Sequence, residues 1–188
     1  AQAANFFDLS LEKKLAVRSD VPGCPRGYFP LDGEALARTR GDASLPDQKE
    51  AFSCGPLAPP PGHDRDENFD FFYGPNLWPV EPAGFRKAWV NYYLAMERLG
   101  AQVMQLPAEA RELPDDFFVE HHTHHLGALR GLNYPPLPSK LRDGQQRAGA
   151  HSDYGSVTIL KPDPGVAGLE VQQPSGEWIA APMVRDGF

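Results

Sequence analysis

The sequence predicts a mainly β protein with flanking α-helices. A helical and loop region over residues 1–126 precedes the first part of an antiparallel jelly roll over residues 127–188. Three observations predict this. Between residues 82 and 106 apolar side chains recur at three- and four-residue steps, the spacing of an amphipathic helix. After Gly127 that spacing gives way to short apolar or alternating runs broken by Pro and Gly, the pattern of antiparallel strands. About five such strands are visible, whereas the two sheets of a jelly roll take about eight, so the sandwich is expected to be incomplete over this chain.

The elements follow in order. Residues 5–17 read as one helix, with capping oxygens at Asp8 and Ser10 and apolar residues Leu11, Leu15 and Ala16 at helical spacing. Residues 21–30 are too rich in Pro and Gly for regular structure, and residues 34–39 offer one helical turn. The run Asp47-Gln48-Lys49-Glu50-Ala51-Phe52 leads into Gly55-Pro56. Residues 57–68 are a loop carrying Pro59, Pro60 and Pro61, then charge; His63, with no partner at ligand spacing, reads there as a solvated loop residue. The aromatic group Phe69, Phe71, Phe72 and Tyr73 lacks interleaved Lys or Arg and reads as packing material rather than as a stacking platform for bases. The best helix spans residues 82–106, with Pro82 in its first turn and one apolar face made by Phe85, Ala88, Trp89, Tyr92, Met96, Leu99, Val103 and Met104. Pro107 and Pro114 punctuate a shorter helix with Asp115 and Asp116 in its first turn. Strands are expected over residues 128–134, 156–161, 168–173 and 177–180, with a further one beginning at Val184; Pro174-Ser175-Gly176 makes a hairpin turn, and residues 140–146 make a polar loop.

Composition narrows the function. At 188 residues the chain is long enough to bury a core. A net charge of −7 argues against a protein that grips nucleic-acid backbone, so no nucleic-acid partner is expected. No apolar run approaches the roughly 20 residues of a membrane span, so no membrane partner is expected either. Cys24 and Cys54 form no CxxC pair and read as free thiols in a reducing, cytoplasmic setting. The chain opens on Ala1 rather than Met, as a trimmed or partial chain would.

One stretch carries chemistry: Gly149-Ala150-His151-Ser152-Asp153-Tyr154-Gly155, followed by the apolar run Val157 to Leu160. In an extended strand residues i and i+2 share a face, so His151 and Asp153 can aim an imidazole and a carboxylate into one space. That is two-thirds of the set of two His and one carboxylate that holds non-haem Fe(II). No histidine follows His151, so the third ligand is absent from the chain. A His-x-Asp alone is weak, because chance supplies one easily. The run His121-His122-Thr123-His124-His125 offers helical spacing for zinc, but no Cys or carboxylate completes a tetrahedral set; a helix end with partly exposed imidazoles is the preferred reading.

Ordered segments along the chain give the motif its context. They are Asn5-Phe6-Phe7 with the Leu9-x-x-Glu12-Lys13-Lys14 that follows, Gly27-Tyr28-Phe29-Pro30, Asp47-x-Lys49-Glu50-x-Phe52, Asn76-Leu77-Trp78-Pro79, and the helix around residues 85–100. Leu129-Arg130 to Tyr134-Pro135-Pro136, the His151-Ser152-Asp153 stretch and Gly168-Leu169-Glu170-Val171 complete the series. Together they resemble the Fe(II)/2-oxoglutarate-dependent dioxygenases of the isopenicillin N synthase-like group. The resemblance implies a double-stranded β-helix (jelly roll) core flanked by helices. It implies His151 and Asp153 as the first two iron ligands, and Tyr134 as a residue reaching the co-substrate or substrate near the metal. It further implies Fe(II), 2-oxoglutarate and O2 as cofactors and co-substrates, and a small organic substrate that is hydroxylated or desaturated. The family's distal His and the Arg-x-Ser that grips 2-oxoglutarate match nothing in this chain, and Leu132 stands where some plant members carry Asn. Over these residues alone the protein is expected to be catalytically incomplete. Two other readings stay open: a non-catalytic metal-binding or interaction domain on the same scaffold, and an Fe(II) oxidase that does not use 2-oxoglutarate.

Overall fold

The structure is a computed structural model and describes residues 1–62, 66–136, 142–163, 168–182, 184 and 187–188. The chain divides into two compact units, residues 1–152 and residues 153–188.

Three strands make the sheet of the first unit: β1 (Gly27–Phe29), β2 (Glu50–Cys54) and β3 (Leu129–Asn133), antiparallel in the order β1-β2-β3. Phe52 in β2 lies opposite Tyr28 and Gly131. Around this sheet run the helices α1 (Gln2–Phe7), α2 (Leu11–Leu15), α3 (Glu67–Tyr73), α4 (Phe85–Val103), α5 (Gln105–Glu109) and α6 (Phe117–Glu120), with a 3-10 turn at Leu36–Arg40. Among its described residues the second unit holds a hairpin, β4 (Glu170–Gln172) with β5 (Trp178–Ala180). The expected fold was mainly β with flanking helices; the described residues form small antiparallel sheets with accompanying helices, and helices hold more of them than strands do.

Aromatic side chains build the core. The Phe52 ring is fully buried and sits 4.9–5.1 Å from the rings of Phe6, Phe85 and Trp89, mostly edge to face. Along α4 only Phe85, Trp89 and Tyr93 are buried, a single row at four-residue steps. Tyr92, which the sequence placed on the apolar face, is exposed. The Trp89 ring passes so close to β3 that a Cβ on Gly131 would lie 3.0 Å from it, which is why the strand carries glycine there.

Several elements differ from expectation, each for a physical reason. The single helix over residues 5–17 is two helices. Ser10 is extended (ψ 149°) and its Oγ accepts the Lys13 N–H at 3.5 Å, restarting the helix as an N-cap. The irregular stretch 21–30 ends in β1, whose Gly27 (φ 90°) lies where a Cβ would meet Val17 O at 2.2 Å. The run from Asp47 contains the central strand β2, buried at all five positions, so no polar–apolar alternation marks it. The group Phe69 to Tyr73 is helical, capped by the Asp66 carboxylate on the Phe69 N–H at 2.7 Å. The long helix starts at Phe85 after a left-handed Gly84 and gives way at Met104 to α5, within which Pro107 lies. Residues 156–161 form no strand: a ladder needs a second strand in register, and the ladder of this unit pairs β4 with β5. Val184 and Gly187 are not in a strand, and the Gly187 N–H donates to Val184 O at 3.4 Å. Arg185 and Asp186 of that expected strand, His63, and residues 140–141 of the polar loop lie outside the described residues. Among the described residues no helix is long and apolar enough to cross a membrane.

Both cysteines are free thiols. Cys54 is fully buried in β2, and burial pushes its thiol up to about 12. Cys24 is half-buried. Maleimide is therefore expected to label Cys24 in the native protein and Cys54 only after unfolding, read by mass spectrometry; rapid labelling of Cys54 in the native state would contradict its burial.

Candidate functional site

His151 closes the first unit, on a loop laid along the segment that enters β2. Gln48 N–H donates to Gln146 O at 3.0 Å, and Gln145 Nε2 donates to Pro46 O at 3.2 Å. Gly149 N–H donates to Asp47 Oδ1 at 2.9 Å. Gly149 lies against the 3-10 turn so closely that a Cβ there would sit 2.8 Å from Ala37 Cβ. His151 Nδ1 then contacts Gly149 O at 2.8 Å. A carbonyl only accepts, so Nδ1 is the donor in this contact, as it is in an imidazole that ligates a metal through Nε2. The ring is on the exposed side of the unit. Asp153 is the first residue of the second unit and is exposed; residues 151–153 are not in a strand.

Tyr134 follows β3 directly. Arg147 donates from Nη2 to Tyr134 O at 3.0 Å and to Pro135 O, and its guanidinium lies 5.6 Å over the Tyr134 ring. Burial raises the Tyr134 phenol above its ordinary range, and the carboxylates Asp47 and Glu34 add to this against Arg130 and Arg147. The phenol is thus a hydrogen-bond donor at neutral pH. The first unit brings Tyr134, Arg147, Asp47, Gly149 and His151 onto one short stretch of backbone contacts.

Beneath them runs a buried ionic network. Lys49 Nζ reaches Asp47 Oδ2 and Glu34 Oε2, each at 3.0 Å, and Arg130 pairs with Glu34 while covering the Phe29 ring at 4.7 Å. Burial pushes the Glu34 carboxyl up, but Arg130 and Lys49 outweigh it and hold it below the usual carboxylate range. A second network crosses the sheet. Glu50 takes Lys14 Nζ at 2.8 Å, the Tyr28 hydroxyl and Asn133 Nδ2 at 2.8 Å, and these donors hold its carboxyl low in spite of burial.

The histidine run behaves as a helix end. His121 and His122 donate from Nδ1 to Phe117 O and Phe118 O at 2.6 Å, continuing the last turn of α6. His125 Nδ1 accepts the Gly127 N–H at 3.1 Å, which leaves Nε2–H to donate to Glu97 at 3.0 Å. Among the described residues no three His, Cys, Asp or Glu side chains converge as a metal site. The roles of Asp47, Gly149 and Arg147 were missed by the sequence reading. Asp47 lies in a segment that carries the family resemblance, but nothing in its spacing marks the loop it holds.

Residues 1–81 match the family described as non-haem dioxygenase in morphine synthesis N-terminal. Validamycin A dioxygenase of Streptomyces hygroscopicus subsp. limoneus is 33% identical over 96% of this chain and 49% of its own length. The 2-oxoglutarate-dependent dioxygenase caaD of Aspergillus niger is 35% identical over 100% of this chain and 56% of its own. A full-length Neurospora crassa protein crystallised in complex with alpha-KG superposes with a TM-score of 0.74 and 32% identity, covering 95% of this chain and 53% of that one. JOX2 in complex with 2OG, Fe and JA superposes with a TM-score of 0.68 at 27% identity, covering 95% and 47%. The chain spans about half the length of the curated relatives it matches. Along nearly its whole length, then, the chain is similar to 2-oxoglutarate-dependent dioxygenases.

Proposed function

We propose that this chain belongs to a non-haem iron oxygenase that converts 2-oxoglutarate, O2 and a small organic substrate to succinate, CO2 and the oxidised substrate. The observation that carries the reading is the similarity to 2-oxoglutarate-dependent dioxygenases along nearly the whole chain; His151, whose Nδ1 contacts a backbone carbonyl, fits a ligand oriented through its other nitrogen. His151 and Asp153 supply two of three protein ligands, and the third comes from outside these residues. Bound iron would supply the redox chemistry that couples loss of CO2 to substrate oxidation. The chain's own part is to hold and orient. His151 presents a fixed nitrogen, Asp153 a carboxylate, and Tyr134 a protonated hydroxyl near the co-substrate.

In this reading residues 127–188 are the first part of a double-stranded β-helix, and residues 1–126 flank it. Two findings support that: the half-length match to the relatives, and the exposure of Val171, Trp178 and Ile179 on β4 and β5. A small substrate fits the neighbours, of which the Neurospora crassa protein was also crystallised with thymine and JOX2 with JA. The acidic charge of −7 disfavours a nucleic-acid substrate.

The test uses the full-length protein, purified anaerobically and loaded with Fe(II) and 2-oxoglutarate. A weak visible charge-transfer band is expected, and succinate on admitting O2. A folded protein giving neither would overturn the proposal in favour of a non-catalytic scaffold; the oxidation of a substrate without succinate would favour an oxidase.

A further inference from the structure

We propose that Asp47 is a positioning residue for the metal-binding nitrogen of His151, acting through the single residue Gly149. The inference rests on the reading of His151 as an iron ligand. Asp47 is 2% exposed and each of its oxygens is in use. Oδ2 accepts the Leu36 N–H at 3.1 Å and Lys49 Nζ at 3.0 Å, and the Asp47 N–H is tied to Glu34 O at 2.8 Å. These ties hold the carboxylate in one orientation, and its other oxygen, Oδ1, takes the Gly149 N–H at 2.9 Å. Gly149 passes the constraint on, because its carbonyl takes the His151 Nδ1–H at 2.8 Å.

The relay therefore has three members, and each link does one thing. Asp47 fixes the height of the loop above the 3-10 turn. Gly149, pressed onto Ala37 with 2.8 Å where a Cβ would stand, fixes how far the loop sinks. The Gly149 carbonyl selects the Nδ1–H tautomer and the ring orientation. A metal-ligating histidine held through its other nitrogen is worth about 10–100-fold in metal affinity or activity relative to one that is not. Here the holding group is a peptide carbonyl, and the buried carboxylate holds the peptide.

Asp47→Asn separates this from a merely structural role. The amide oxygen is drawn to the side where Lys49 and the Leu36 N–H both donate, so the amide NH2 is left facing the Gly149 N–H and the relay breaks while the side-chain shape stays. Two measurements are made on the full-length protein. In the metal-free form, ¹⁵N-histidine NMR is expected to show His151 moving from the Nδ1–H tautomer to a mixture. Titration with Fe(II) alone is expected to show a dissociation constant about tenfold higher or more. Lys14→Met, which disrupts the separate buried ion pair with Glu50, is the control: it is expected to lose stability and keep both readouts.

If Asp47→Asn does not fold, Gly149→Ala serves instead; it leaves Asp47 intact, pushes the loop off Ala37, and is expected to give the same two changes. A folded Asp47→Asn with an unchanged tautomer and Fe(II) affinity within twofold of wild type overturns the proposal. The failure of the underlying reading looks different. His151→Ala would then leave Fe(II) affinity unchanged, and the tautomer of His151 in Asp47→Asn would still decide whether the relay exists.

Discussion

His151→Ala is expected to lower succinate release by more than about 100-fold, since losing only the partner that orients a ligating histidine already costs about 10–100-fold. Asp153→Ala is expected to do the same. Neither should unfold the protein. Both residues are exposed, and substitutions at exposed positions usually cost little stability. The loss should therefore appear in Fe(II) titration and in turnover, with the thermal midpoint unmoved. Asp153→Asn sharpens the result: it keeps the shape of the side chain and removes the charge, so a comparable loss points to the carboxylate as ligand rather than to packing. His121→Ala and His122→Ala provide the contrast. They close the end of α6, the resemblance assigns them no ligand role, and their loss is expected to leave succinate release near wild type. Succinate release from His151→Ala at the wild-type rate would remove His151 from the ligand set.

What the sequence showed depended on whether a pattern is local. The helix α4 was legible because its apolar residues repeat at helical steps, but the repeat overstated the buried face: packing against Phe52 and β3 uses the row Phe85, Trp89 and Tyr93 and turns Tyr92 outward. The strand β2 was not legible. Its residues Glu50 to Cys54 are all buried, and Glu50 is tolerated there only because Lys14, Tyr28 and Asn133, from three separate segments, converge on it. Residues 156–161 failed the other way: an apolar, β-branched run supplies strand side chains, but pairing decides whether a strand exists. The candidate site divides along the same line. His151, Asp153 and Tyr134 were visible as a motif and a resemblance. The Asp47 contact to Gly149 spans 102 positions of chain, and no spacing rule reaches that far.

Lys14→Met is expected to destabilise the protein by about 3–5 kcal/mol, the usual cost of removing one partner from a buried ion pair. The Lys14 and Glu50 side chains are only 10% and 5% exposed, and the ammonium sits 2.8 Å from the carboxylate. Lys14 also donates to Phe7 O at 3.0 Å, so the end of α1 loses a partner as well. For a chain of this length the loss corresponds to a fall of roughly 10 °C in melting temperature. Its pH dependence identifies the cause. In the wild type the donors hold the Glu50 carboxyl below its unfolded value, so its contribution is fully present above the unfolded pKa of about 4.3 and is lost as pH falls through the lower folded value. In Lys14→Met the main opposing donor is gone and burial raises the folded pKa. Protonation then relieves the variant, so its deficit against wild type is largest near pH 7 and shrinks toward pH 4. Adding Glu50→Gln to Lys14→Met removes the stranded charge and is expected to recover part of the loss at pH 7. Denaturant melts of the two variants and wild type at pH 7 and pH 4 measure all of this. A deficit that stays constant between the two pH values would mean that Lys14 acts through its contact with Phe7 and its packing, and not through the charge on Glu50.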